Sequence, residues 1–374
     1  MTEGKQKICF VIPSLSGGGA ERVVSVLASQ LIRDEHDISV IKYFDTENDY
    51  PTDERIKVVC ISNGFEDAYR TLSYPQKIKK IRYALKQINP EYVVPFLPHV
   101  AVHVFLAGLG LHLKTIQTVR VAPAISPASF VMRKFRDVLV AISYSTFVQT
   151  GSQKQYFSDR VHHKICVLPN PVSETMFEAK PQYTESITDI VSIGRLTAQK
   201  NFEMLIEAVN AIKEEGRCVR LSIYGEGELS ASLQRKIEEM GCSDFCRLCG
   251  RTADTAETLC KSHIFVLPSN FEGMPNALME AMAVGLPCIS TDCQTGPGDL
   301  IQNGRGILVP VGDRQAMIGA IKQMMDHPDM AMQMGMAAKE YMKENYSPNI
   351  IAERFIDDVV QRRCKSGGHC EKSI

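Results

Sequence analysis

The chain has 374 residues, 44% hydrophobic and 23% charged, which excludes a disordered or fibrous protein and leaves room for two domains with separate cores. The formal net charge of -1 hides an uneven spread: residues 1–176 carry 21 Lys and Arg against 16 Asp and Glu, and the remainder carries 21 against 27. Nucleic acid is not an expected partner, whereas the basic half suits an anionic surface, with chance surface variation as the plain alternative.

The opening "MTEGKQKICFVIP" has too short an apolar run for a secretory signal, and no stretch approaches the roughly 20 apolar residues of a spanning helix, so the expected location is the cytoplasm. In a reducing compartment the 12 cysteines read as thiols rather than as a disulfide framework. Cys242, Cys246 and Cys249 invite a zinc reading, but the remaining ligands are scattered, and free thiols fit better.

Apolar runs of strand length alternate with helix-period segments along the whole chain, the pattern of parallel sheets wound with helices. "KICFVIP" is the first strand and "GGAERVVSVLASQLI" the helix after a Gly-rich turn. "DISVIKYF", "KVVCI", "YVVPFL", "TIQTVR" and "VLVAIS" read as further strands, and "KICVLPNPV" closes the series. After the polar stretch "SETMFEAKPQYTESIT", a second series runs through "DIVSIGRL", "VRLSIYG", "CRLCG", "HIFVLPS", "LPCIST" and "GILVP". The expectation is α/β: two Rossmann-like doubly wound domains, 1–172 and 173–345, facing across a cleft, with ligands beyond the strand C-termini. Residues 346–363 would form a terminal helix returning to the first domain, and 364–374, with Cys364, His369 and Cys370, a frayed tail.

Several strand ends carry chemistry. In "PSLSGGGAER", Gly17, Gly18 and Gly19 let backbone N–H groups at a helix N-terminus meet an anion, although the spacing matches neither the dinucleotide fingerprint nor the Walker loop. Arg195 and Lys200 in "GRLTAQK" suit a diphosphate, with solvated surface charge an equal alternative. Gly225 and Gly227 form a G-x-G whose commonest meaning is a turn. Glu272 and Glu280 stand eight positions apart in "SNFEGMPNALMEAMAVG", the first in a turn and the second in a helix. Eight helical steps rise about 12 Å, wide for two carboxyls acting on one bond, which stand about 5 to 9.5 Å apart. The pair suits two clamps on an elongated ligand rich in hydroxyls, or else two solvated carboxylates.

"GRLTAQKNFEMLIEAV", "IYGEGE", "FVLPSNFEGMPNALMEAMAVGLPCIS" and "GILVPVGD" resemble the donor domain of glycosyltransferase family 4, a retaining family of GT-B architecture. "ICFVIPSLSGGGAERVVSVLASQL" and "VLPNPV" are similar to its acceptor domain and junction, so the likeness runs in order from about Ile8 to Phe355. Its most specific element is the Glu-x7-Glu motif. The resemblance implies that Arg195 and Lys200 hold the diphosphate of a nucleotide-sugar donor, that Glu272 faces the sugar hydroxyls beside Gly273, Met274 and Pro275, and that Glu280 binds the ribose. It places Gly225 near the donor and Arg251 and Thr252 near the base, brings Gly18 and Gly19 towards the donor phosphate from the other domain, and offers His99, in a strand-end loop, to the sugar. His103, on an apolar helix, reads as packed, and Arg120 at a strand end would meet an anionic acceptor or the donor phosphate, with a surface ion pair as the alternative.

The implied activity is retaining transfer of a hexose or N-acetylhexosamine, galactose-type or N-acetylgalactosamine favoured, from a UDP-sugar to a saccharide acceptor, polyprenyl-diphosphate-linked. Neither a metal nor a cofactor is implied, since cations and amides stabilise the departing diphosphate. The basic, partly apolar stretches "YPQKIKKIRYALKQ" and "VMRKFRDVL" suit an anionic membrane surface at the cytoplasmic face. A GT-B nucleotide-sugar epimerase or phosphorylase and a non-catalytic sugar-nucleotide sensor are the alternatives.

Overall fold

The computed structural model describes residues 5–121, 123–124, 126–127, 129–184, 186–252 and 254–360. The expected tail, with Cys364, His369 and Cys370, lies outside them. The chain divides into two compact units, one of Met1–Pro171 with Pro348–Ile374 and one of Val172–Ser347.

The first unit contains β1 (Lys7–Ile12), α1 (Gly19–Arg33), β2 (Asp37–Lys42), β3 (Lys57–Cys60), α2 (Tyr74–Ile88), β4 (Tyr92–Pro95), α3 (Pro98–Gly108), β5 (Lys114–Val119), α4 (Phe130–Ile142), β6 (Ser145–Val148), α5 (Gly151–Gln155) and β7 (Ile165–Val167). The second contains α6 (Glu174–Glu178), β8 (Asp189–Ile193), α7 (Phe202–Glu214), β9 (Arg220–Tyr224), α8 (Ser230–Glu239), β10 (Cys246–Leu248), α9 (Thr255–Cys260), β11 (Ile264–Leu267), α10 (Asn276–Val284), β12 (Cys288–Thr291), α11 (Pro297–Ile301), β13 (Ile307–Val309), α12 (Arg314–Asp326) and α13 (Pro328–Tyr346). The last helix, α14 (Pro348–Val360), belongs to the first unit.

Both sheets are parallel. Their strand orders are β3-β2-β1-β4-β5-β6-β7 and β10-β9-β8-β11-β12-β13, so each is a Rossmann-like doubly wound sheet in which the order reverses beside its first strand. Helices cover both faces, which is why the strands read as continuous apolar runs. Along β1, Ile8, Phe10 and Ile12 enter one core with α1 and α14, while Cys9 and Val11 enter the opposite one. Phe355 of α14 packs against Phe10 and Phe147, ring centroids 6.1 and 5.3 Å apart, and Tyr144 donates to the Val359 carbonyl at 3.1 Å.

One strand expectation is corrected. "VLVAIS" is not a strand: Val138–Ile142 ends helix α4, and the strand is the following Ser145–Val148. Leu139 and Val140 face inward while Val138 and Ile142 stay exposed, a one-sided helical pattern that a short apolar run hides.

Candidate functional site

In the second unit the order reverses between β8 and β11, and the loops after those strands are laced together. Asn270 N–H donates to the Gln199 carbonyl at 2.8 Å, Asn270 Nδ2 donates to the Ala198 carbonyl at 2.8 Å, and Gln199 Nε2 donates to the Phe271 carbonyl at 2.9 Å. This lacing brings Lys200 Nζ to 2.6 Å from Glu272 Oε1. The two side chains are 14% and 7% exposed, so the pair is nearly removed from water. Ser269 Oγ donates to the same carboxylate oxygen at 2.6 Å, and Thr295 Oγ1 donates to the Glu272 carbonyl.

Gly225 explains why a glycine ends β9. Its φ is +147°, and a Cβ there would lie 1.8 Å from the Gly194 carbonyl oxygen, so only glycine lets this backbone press against the loop that carries Arg195 and Lys200. Arg195 is exposed, and its side chain has no partner among the described residues. Arg251, beyond β10, makes an exposed ion pair with Glu226 at 2.8 Å, and the Thr252 hydroxyl is engaged locally with Thr258 and the Asp254 carbonyl. Gly273 and Pro275 are buried, Pro275 at the N-cap of α10, and the Met274 side chain belongs to the core, leaving its backbone to shape the loop. Glu280 is buried in the second turn of α10. Arg195, Lys200, Glu226, Arg251, Glu272 and Thr295 thus all follow the C-terminal ends of strands in one parallel sheet, where ligands of doubly wound folds bind.

In the first unit, Gly18 is the N-cap of α1 and Gly19 its first residue. A Cβ on Gly18 would lie 2.1 Å from Glu21 Oε2, so the Glu21 carboxylate stands over the helix N-terminus, where its charge meets the positive end of the helix dipole. Sequence reading passes over Glu21, although its place three residues beyond the cap signals that role. His99 is corrected: it sits in the first turn of α3, not in a loop, because Pro98 starts the helix directly after β4. Desolvation, helped by Lys77, pushes its imidazole below the ordinary range. His103 is packed, bonded through Nδ1 to the Tyr43 hydroxyl at 2.5 Å, and burial lowers its pKa to about 4.

Among the described residues, Arg120, just after β5, forms no ion pair. It is half-buried, donates through Nη1 to Asn170 Oδ1 at 2.8 Å and stacks over Phe96 at 4.8 Å. Burial lowers its pKa to about 10, so it stays cationic at neutral pH. The structure therefore joins Lys200 to Glu272 directly and leaves the other expected residues distributed over strand ends, Gly18, Gly19, His99 and Arg120 in one unit and the rest in the other. Among the described residues no group of three or more His, Cys, Asp or Glu is placed to hold a metal ion, and the Cys242 and Cys246 thiols are buried with raised pKa values.

Residues 187–327 match the family described as Glycosyl transferases group 1. The segment holds Arg195, Lys200, Gly225, Arg251, Thr252, Glu272 and Glu280. Over 349 residues, 90% of this chain and 94% of the relative, the chain is 27% identical to the GalNAc-alpha-(1->4)-GalNAc-alpha-(1->3)-diNAcBac-PP-undecaprenol alpha-1,4-N-acetyl-D-galactosaminyltransferase of Campylobacter jejuni. It is 23% identical to the amylovoran biosynthesis glycosyltransferase AmsD of Erwinia amylovora, over 94% of this chain and 99% of that one. Among solved structures, sucrose-phosphate synthase from Thermosynechococcus elongatus superposes with a TM-score of 0.80 at 16% identity, over 97% of this chain and 100% of that one. Anabaena HepE in complex with UDP gives 0.76 at 15% identity, over 95% and 100%. These structural likenesses concern the fold, which is GT-B, and the class is glycosyltransferase.

Proposed function

We propose that the chain is a retaining glycosyltransferase that moves a hexose or N-acetylhexosamine, N-acetylgalactosamine-type favoured, from a UDP-sugar to a saccharide carried on a polyprenyl diphosphate. The observation that carries this reading is the buried Lys200–Glu272 pair beside exposed Arg195 at the sheet's reversal point. A donor diphosphate arriving there competes with Glu272 for Lys200. Lys200 and Arg195 then stabilise the charge that grows on phosphate as the glycosidic bond breaks, a role that calls for no metal. The carboxylate of Glu272, released from the ammonium, accepts hydrogen bonds from sugar hydroxyls, and Glu280 does so from the ribose.

The leaving phosphate takes the proton of the attacking acceptor hydroxyl on the same face, which preserves the anomeric configuration without a protein base. The relatives above support a lipid-linked or polysaccharide acceptor, since one is named for an undecaprenyl diphosphate saccharide and the other for amylovoran biosynthesis. The cationic Arg120 suits the acceptor's phosphate or the donor's, and His99 suits the donor sugar. Helix α4 exposes Phe130, Val131, Val138 and Ile142 at 64, 73, 52 and 54%, with Lys134 exposed on the same helix, a composition suited to an anionic bilayer face. No described helix is long and apolar enough to cross a membrane.

The test is a donor screen with UDP-Gal, UDP-GalNAc, UDP-Glc, UDP-GlcNAc and GDP-mannose, with and without undecaprenyl-diphosphate oligosaccharide. Acceptor-dependent release of UDP and a product with retained anomeric coupling by NMR are expected. Conversion of donor without acceptor, or inversion, overturns the reading.

A further inference from the structure

In the first unit β5 forms the floor of a narrow crevice between α3 and α4, walled by Leu97, Ala101, Phe135, Leu139 and Val140. The Gln117 side chain rises from this floor. It is 5% exposed, and its Nε2 has no hydrogen-bond partner among the described residues. A buried amide N–H left unpaired in an apolar setting is costly, so the position implies an occupant with an acceptor. Arg120 lines the same crevice three residues on, and its buried Nε is likewise unpartnered. The other arginine there, Arg136, is spent: it donates to the Pro123 and Ser126 carbonyls and to Asp137.

A third orphan stands alongside. Thr146 of β6 is the register neighbour of Gln117, its side chain leaves the same face of the sheet, and its Oγ1 has no partner among the described residues. The crevice therefore presents an amide donor among apolar walls, with the Thr146 hydroxyl on the neighbouring strand beneath it. The free space is small, about 40 Å³, room for roughly three waters. An isoprene chain would leave the Gln117 amide donor unpaired, and a phosphate would leave the apolar walls without a match. A secondary amide ending in a methyl group supplies an acceptor, a donor and an apolar tip together.

We propose that this crevice recognises the acetamido group of an N-acetylated sugar in the acceptor, with Gln117 Nε2 donating to the amide carbonyl and Arg120 meeting an adjacent hydroxyl or phosphate oxygen. The inference rests on the reading of a saccharide acceptor and adds the chemical feature by which that acceptor is chosen.

The probes are the methyl glycosides of N-acetylglucosamine and N-acetylgalactosamine, with methyl glucoside as control, followed on the full chain by saturation-transfer NMR. The N-acetyl methyl resonance should saturate with the wild type, fall about five- to tenfold with Gln117→Met, and have no counterpart in the glucoside. Thermal protection by UDP, measured on the same samples, should be equal in wild type and Gln117→Met, which establishes that the variant folds. Loss of UDP binding by the wild type would count against the transferase reading alone. Three results overturn the acetamido assignment: no saturation with the wild type, equal saturation with Gln117→Met, or a rise in the stability of Gln117→Met with binding unchanged, which would make Gln117 a residue that holds buried water.

Discussion

Replacing Lys200 by Met should destabilise the second unit far more than a half-exposed lysine ordinarily would. At an effective dielectric of about 20, unit charges 2.6 Å apart attract by about 6 kcal/mol. That attraction is set against several kcal/mol of desolvation for each ion, so the intact pair contributes little net stability. Removing one partner keeps the penalty and loses the attraction. Glu272, 7% exposed, is then left with the Ser269 hydroxyl and a weak 3.4 Å contact from Gln199. Lys200→Met should cost about 3–5 kcal/mol. Glu272→Gln should cost less, about 1–3 kcal/mol, because the amide still accepts hydrogen bonds and the long lysine stem can carry its ammonium outward. The double variant should fall short of the sum by about 2–3 kcal/mol. Urea denaturation of the four proteins, followed by circular dichroism, gives the coupling. Single effects that add within about 0.5 kcal/mol, or a Lys200→Met cost below about 1 kcal/mol, would refute the argument.

Arg195→Ala should leave stability within about 0.5 kcal/mol, since the side chain is exposed, while lowering turnover about 100- to 1000-fold; thermal melts paired with single-turnover kinetics separate the two. Gly225→Ala forces a Cβ against the Gly194 carbonyl at a φ of +147° and should cost about 3–5 kcal/mol in urea denaturation. For His103, burial holds the folded pKa near 4 against about 6.5 unfolded, so the unfolded chain binds the extra proton between those values. This contribution is fully present above pH 6.5 and falls away, by up to about 3 kcal/mol, as the pH drops towards 4. His103→Gln, which still accepts from Tyr43, should flatten that part of the stability profile, and a wild-type slope in the variant would exclude it.

The two parallel sheets were legible because buried parallel strands read as apolar runs at regular intervals, and strands such as "HIFVLPS" and "GILVP" stand where expected. "VLVAIS" misleads because five apolar residues suit a strand or a helix end equally, and only the exposure of Val138 and Ile142 decides. His99 is misread for a related reason: Pro98 looks like a loop residue but is also an apt first residue of a helix. Residue types at strand ends point to the donor chemistry, yet the pairing of Lys200 with Glu272 spans 72 positions and depends on the parallel register of β8 and β11. Gln117 is invisible for the opposite reason. One amide in "KTIQTV" looks like an ordinary outward-facing strand residue until a helix is found above it.

The first unit is assembled from two separate stretches of chain, with the whole second unit threaded between them. During synthesis the second unit is complete once Ser347 has emerged, whereas the hydrophobic face around Phe10 and Phe147 waits for Phe355, more than three hundred residues after Phe10. Closing so long a loop is slow. The half made first therefore matures last, and until α14 arrives its uncovered apolar face is open to chaperones and to neighbouring nascent chains.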